Sequence, residues 1–180
     1  MPYGVSMEHT TLPKDGSLTF DPSGVRHVVV AGPLGPEVEQ LLADARSAGR
    51  DVTLLHTGTA GTAAVLDKLG TLLAEAQVGV RVYLAGDDGF VRATAAVAHA
   101  AGILDDELQT AVTASAARRV WCSHCRTVTE DVTTTVAPCA GCGRTLEVFH
   151  HFSRRHGAYL GFQADAEAPG ELPEPEVAWP

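Results

Sequence analysis

The four cysteines of this 180-residue chain fall into two pairs, Cys122-Ser-His-Cys125 and Cys139-Ala-Gly-Cys142. A CxxC pair sets two sulfurs on one tight turn. Two such turns at the ends of a hairpin close a tetrahedron of four thiolates around Zn²⁺. That shell leaves no position for water, so the expected metal is structural. A rubredoxin-like iron site uses similar turns, and zinc is favoured over iron on ligand type. His124 lies inside the first turn, where four sulfurs already fill the shell, and is expected to face solvent.

Other residues invite weaker chemistry. His150, His151 and His156 raise a second metal or a haem axial role. Adjacent strand residues point to opposite faces, however, so His150 and His151 do not easily share an ion if that segment is extended. Arg154 and Arg155 beside them suit carboxylates across an interface, because guanidinium forks match that geometry. Gly32, Gly35, Thr59 and Gly61 stand in turns at the carboxyl ends of strand-like runs, where open parallel sheets bind ligands. Their N–H groups are candidates for holding phosphate, although no basic side chain accompanies them and plain helix-entry turns would look the same. Asp87 and Asp88 read as a helix N-cap and an acidic first turn. No Ser/His/Asp triad or paired-carboxylate motif is present.

Positioning these residues falls to three strand–helix repeats. His27–Ala31 is a β-branched run, followed by the turn 32–35 and a helix from Pro36 that buries Val38, Leu41, Leu42 and Ala45 and ends near Gly49. A strand at 51–55, the Gly/Thr-rich turn 57–62 and a helix with Leu66, Leu69, Leu72 and Leu73 form the second unit. A strand at 80–85 and a helix with Phe90, Val91, Ala95 and Ala98 form the third. Such alternation predicts a parallel sheet. Asp105-Asp106-Glu107 reads as the cap of a short helix or turn leading into the cysteine segment. There the Thr/Val-rich stretch 127–136 predicts a hairpin, and strands at 145–149 and 158–162 complete a ribbon of three. The predicted fold class is α/β, a short parallel three-layer unit followed by a β-rich zinc ribbon. Its expected divisions are an arm at 1–25, the α/β domain at 26–116, the ribbon domain at 117–163 and an acidic, Pro-rich tail at 164–180.

A hydrophobic content of 45% is enough for a core. No apolar run approaches the roughly 20 residues of a membrane span, and no signal-peptide pattern opens the chain. Cysteines accounted for by a metal agree with a reducing compartment, so a cytoplasmic location is expected. The net charge of −9 is uneven. Residues 117–161 hold six Arg against three acids, whereas 162–180 hold five acids and no base. Overall acidity disfavours nucleic acid. The basic island, flanked by Phe149, Phe152, Tyr159 and Phe162, is expected to meet an acidic partner.

The α/β part resembles the nicotinamide-nucleotide module of ferredoxin reductase-like flavoproteins, which opens on a strand into Ala-Gly-Gly-x-Gly-x-x-Pro. The corresponding stretch is Val30-Ala31-Gly32-Pro33-Leu34-Gly35-Pro36. That module ends with a strand into Val-Tyr-x-Cys-Gly-Pro, where this chain has Val82-Tyr83-Leu84-Ala85-Gly86-Asp87. Ala85 replaces the cysteine near the hydride path, and Asp87-Asp88 bring negative charge where a pyrophosphate would sit. With the two CxxC pairs and the stretch His150-His151-Phe152-Ser153-Arg154-Arg155-His156-Gly157-Ala158-Tyr159-Leu160-Gly161-Phe162, most of the chain resembles the small A-type subunit of dimethylamine monooxygenase. This resemblance implies an accessory zinc-binding subunit of a hetero-oligomer that oxidatively demethylates secondary amines. NADPH electrons would pass through a flavin and iron–sulfur reductase subunit to a haem-containing oxygenase subunit. Two other function classes fit the residues, a stand-alone nucleotide- or flavin-binding reductase and a zinc-ribbon nucleic-acid adaptor.

Overall fold

The computed structural model describes residues 15–58, 61–114 and 117–177. The chain divides into two compact units, one of Lys14–Ser115 and another that includes Ala116–Pro180.

The first unit is built on strands β1 (Arg26–Ala31), β2 (Val52–His56), β3 (Val80–Asp87) and β4 (Leu108–Ala114), all parallel, in the order β2-β1-β3-β4. Helices α1 (Pro36–Ser47), α2 (Gly61–Ala74) and α3 (Asp88–Ala100) connect β1 to β2, β2 to β3 and, with a short 3₁₀ turn at Asp105–Glu107, β3 to β4. Alternation along β1 dictates the layers, because successive side chains of a strand face opposite ways. Val28 and Val30 pack with Leu69 and Leu73 of α2 and Val91 and Ala95 of α3, while Val29 and Ala31 pack with Val38 and Leu41 of α1.

Local chemistry fixes the helix ends. Pro36 opens α1 with Glu37 and Glu39 in its first turn, where the N-terminal partial charge favours acids. Beyond its end Gly49 takes φ +67°, and Arg50 N–H donates to Ala45 O at 2.9 Å, the closure that left-handed glycine permits. Asp87 caps α3 by accepting from Phe90 N–H at 2.8 Å, as its sequence position predicts.

One feature differs from the sequence expectation. The segment after Glu107 runs on as β4, a fourth parallel strand; its Leu-Gln-Thr-Ala-Val-Thr-Ala composition lacks the β-branched density of β1. Residues 15–25, part of the stretch read as an arm that either lies on another surface or stays mobile, lie across the sheet. Gly16 N–H bonds Thr110 O at 2.9 Å, Thr19 exchanges two hydrogen bonds with the Gln109 side chain, and Leu18 and Phe20 pack on the α1-side core. Buried Arg92 pairs with Asp15 and Asp88, and Arg81 with Asp21. The rest of the predicted arm, 1–14, lies outside the described residues.

In the second unit five strands take the order β6-β5-β9-β8-β7: β5 (Arg118–Cys122), β6 (Val128–Val132), β7 (Val136–Pro138), β8 (Thr145–Ser153) and β9 (Ala158–Gln163). The expected ribbon of three is thus a larger sheet, and the expected hairpin at 127–136 does not form, since β6 pairs with β5 and β7 with β8. The reason is local: each CxxC turn is itself a hairpin loop, the first joining β5 to β6 and the second β7 to β8. Parallel pairing of β5 with β9 and antiparallel pairing of β9 with β8 unite the two hairpins. The tail also returns to this sheet, with Thr135 N–H bonding Glu176 O at 2.9 Å and Thr134 bridging Val177. Among the described residues, no helix is long and apolar enough to cross a membrane.

Candidate metal centre

The two CxxC turns share one backbone plan. Cys122 N–H donates to Thr127 O at 2.9 Å and Cys139 N–H to Arg144 O at 2.8 Å, each spanning five residues. Arg126 N–H donates to Cys122 O at 2.9 Å and Gly143 N–H to Cys139 O at 3.0 Å. The residue after each second cysteine is left-handed, Arg126 at φ 65° and Gly143 at φ 72°. Glycine adopts that conformation freely, whereas a side chain there costs about 1–2 kcal/mol. Each knuckle therefore turns its own two sulfurs inward.

Packing brings the knuckles together. Cys122 and Cys139 are buried in a small core with Val120, Val132, Leu146, Val148, Phe152 and Tyr159. The four Sγ atoms all lie within 4.8 Å of one another, the one such cluster among the described residues. Cys125 and Cys139 sulfurs are 3.5 Å apart and those of Cys122 and Cys142 3.9 Å. Both separations far exceed a disulfide bond of about 2.0 Å. They match the ~3.8 Å edge of a sulfur tetrahedron whose centre is ~2.3 Å from each corner, the Zn–S length. The residues present therefore fit a tetrahedral ion.

Thiol electrostatics are unequal. Burial pushes the Cys122 thiol up to about 11, whereas hydrogen bonds from the side chain and backbone of Thr127 bring Cys125 down to about 6. At Cys139 burial opposes ionisation, yet the N–H groups of Cys142 and Gly141 outweigh it and the shift is downward. Four thiolates at this spacing repel one another unless a cation lies among them, so ionisation of the set and metal binding are one event. Gly141 makes the close approach possible. A Cβ there would collide with the Thr127 hydroxyl and lie 3.1 Å from Cys125 Sγ.

The other candidate residues lie apart from this centre. His124 is exposed and its Nδ1 is 2.7 Å from Arg144 Nη1. His150 is half-buried and His151 exposed on β8. The His156 ring stacks on Trp121 at 4.7 Å, 8° from parallel. Neither that stack nor the Arg119 Nη1 hydrogen bonds to the carbonyls of His156 and Gly157, both 3.0 Å, is visible in the residue pattern. Phe152 and Tyr159 meet edge to face inside the core, whereas Phe149 and Phe162 meet edge to face at the surface, 39% and 40% exposed. In the first unit Gly32 N–H is spent on Ala85 O at 2.8 Å, Gly35 is the extended N-cap of α1, and Gly61 opens α2 at φ +75°. Thr59 lies outside the described residues.

Residues 119–162, which hold both knuckles, match the family model of the dimethylamine monooxygenase subunit DmmA-like C-terminal domain. Over 157 residues the chain is 37% identical to the heme-dependent oxidative N-demethylase delta subunit of Ectopseudomonas mendocina (strain ymp). The aligned part is 86% of this chain and 88% of that protein. The chain belongs to this DmmA-like family. No solved structure matches it. The knuckles, the β8–β9 hairpin and the Trp121 stack all lie inside the matched C-terminal domain.

Proposed function

We propose that this chain is a noncatalytic, zinc-stabilised subunit of a multisubunit haem-dependent amine demethylase. The observation that carries the reading is the likeness to the delta subunit over nearly the whole of both chains. In this reading, the zinc ribbon comprises residues 117–163 and the metal ligands are Cys122, Cys125, Cys139 and Cys142. Zinc bound there contributes folding free energy and no redox step. A secondary amine such as dimethylamine is demethylated on a haem-bearing partner, which receives NADPH electrons through a flavin and iron–sulfur reductase partner in the cytoplasm.

Two features support an accessory role over a stand-alone reductase. The Gly32 N–H, which a phosphate would need, is already spent inside the sheet. Asp87 and Asp88 place carboxylates where α3 begins, an end that would otherwise attract an anion. Arg154 and Arg155, exposed in the β8–β9 turn, form the surface offered to an acidic partner.

Reconstitution tests the reading. The isolated chain is expected to carry about one zinc per monomer and neither to oxidise NADPH nor to demethylate dimethylamine. With the haem and reductase subunits it enters a stable assembly, and the Arg154→Glu/Arg155→Glu pair weakens that assembly without altering zinc content. Turnover by the chain alone, or an assembly fully active without it, refutes the proposal.

A further inference from the structure

One side of the five-stranded sheet packs Val120, Leu146, Val148 and Tyr159 into its core, whereas Phe149 and Phe162 on the other are 39% and 40% exposed. Register places Trp121 on β5 beside Leu160 on β9, and Phe162 on β9 beside Glu147 on β8. Since i and i+2 share a face of a strand, Trp121, Leu160, Phe162 and Glu147 form one outward stripe across three strands. Phe149 joins it through its ring contact with Phe162 at 5.1 Å. Immediately afterwards β8 departs from regular pairing, with Phe149, His150 and His151 opposite Leu160 alone. Irregularities of this kind re-aim side chains and recur beside functional sites.

The end of the stripe deepens into a groove of about 480 Å³ whose walls include Glu147, Phe149, Phe162 and Glu167. Among the described residues no Lys or Arg lines it, and Phe162, Gln163, Ala164, Ala166 and Glu167 of its lining belong to the stretch 162–180, which holds five acids and no base. The nearby Arg144 is engaged by Gln163 at 2.9 Å and His124 at 2.7 Å. Exposed ring faces between two carboxylates select a cation with an apolar stem, because the π-face and the carboxylate attract the same charge while the ring covers the methylenes. The stripe continues beyond the groove through Leu160 to Trp121, more surface than a small cation covers.

We propose that this groove docks an arginine-bearing segment of a partner subunit, the guanidinium lying over Phe149 and Phe162 and reaching Glu147 or Glu167. The inference rests on the assembly reading above and adds a second contact, opposite in charge to the Arg154–Arg155 turn at the other end of the β8–β9 hairpin. Arginine and aromatic rings are the residues that dominate interface energetics.

The test uses the complex reconstituted from the full chain and the other subunits of the demethylase, with Phe162 replaced by the photocrosslinking residue benzoylphenylalanine. Irradiation and mass spectrometry are expected to identify a partner-subunit peptide with an Arg within a few residues of the crosslink. Glu147→Lys/Glu167→Lys should lower partner recovery at least tenfold while leaving zinc content and the melting temperature of the free chain in place. A crosslink to a second copy of this chain, to a partner peptide lacking Arg, or to nothing in an intact complex overturns the inference but leaves the assembly reading standing. Shifts of the Phe149 and Phe162 ring resonances by millimolar methylguanidinium, combined with full complex formation by the double Lys variant, would make the groove a small-cation site and also overturn it. A wild-type chain that forms no complex at all sinks both.

Discussion

Gly141→Ala tests the geometry of the metal centre without touching a ligand. The backbone at Gly141 does not lie in the left-handed region, so alanine is acceptable there on dihedral grounds and only space is at issue. The added methyl would stand 2.8 Å from Thr127 Cβ and 3.1 Å from Cys125 Sγ, and closer still to the Thr127 hydroxyl. Comfortable carbon contacts are about 3.5–4.0 Å, so one knuckle must yield by roughly 0.5–1 Å. Thr127 is poorly placed to do so, because the carbonyl of the same residue closes the first knuckle on Cys122 N–H. Overpacking of this kind costs about 1–3 kcal/mol, which at 1.4 kcal/mol per decade is about 5- to 150-fold in metal affinity. Competition against a chromogenic chelator measures that loss directly, with circular dichroism to follow the sheet. Gly35→Ala, whose methyl meets nothing within 4 Å, is the control and should bind metal like the parent. Parental affinity and melting temperature in Gly141→Ala would falsify the packing of the two knuckles described above.

Three further outcomes follow from the same reasoning. Cys139→Ala removes one corner of the tetrahedron and a core side chain, so zinc should fall to a small fraction of one equivalent and the β5–β9 sheet should become protease-sensitive; retention of both metal and resistance would contradict the four-cysteine site. Arg126→Gly relieves a left-handed side chain at φ 65° but loosens the unfolded chain, leaving a net gain of about 0.5–1 kcal/mol, visible as a rise of a few degrees in the melting temperature of the metal-bound protein; a fall would show that the Arg126 side chain has a stabilising role. His27 is 1% exposed, its Nδ1 lies 3.4 Å from the Tyr83 hydroxyl, and its Nε2 has no hydrogen-bond partner among the described residues. Burial lowers its pKa, Arg50 and Arg81 act in the same direction, and the Gly24 backbone and Asp21 act against them. The folded chain thus protonates this imidazole at a lower pH than the unfolded chain, which does so near pH 6.5. Stability is full above that value and falls on acidification. By pH 5 the parent should lose up to about 2 kcal/mol more than His27→Gln, from the limit of 1.4 kcal/mol per pH unit. Parallel pH profiles for the two proteins would show that folding does not lower the His27 pKa.

What the sequence made legible and what it concealed divide along the range of the interactions. The knuckles are local: each CxxC turn is closed by hydrogen bonds spanning four or five residues, so spacing alone indicated that the sulfurs would converge. The α/β order was legible for a related reason, since alternating β-branched runs and 3.6-residue patterns leave a parallel sheet as the economical arrangement. Pairings over longer separations were not. Val128–Val132 and Val136–Pro138 look like the two arms of one hairpin because they are adjacent in sequence, but both knuckles are already loops and each strand continues its own. Asp15 reaches Arg92, and Thr19 reaches Gln109, across separations of 77 and 90 residues. No periodicity in residues 15–25 encodes contacts whose partners arise only once β3, α3 and β4 have been laid side by side. The aromatic quartet shows the same limit within one hairpin. Phe149, Phe152, Tyr159 and Phe162 are alike in composition, and the irregular pairing between Val148 and Phe152 separates a buried pair from an exposed one. Residue type therefore announced four aromatic rings on this hairpin, while the register, a property of the folded sheet, determines which two of them stay exposed.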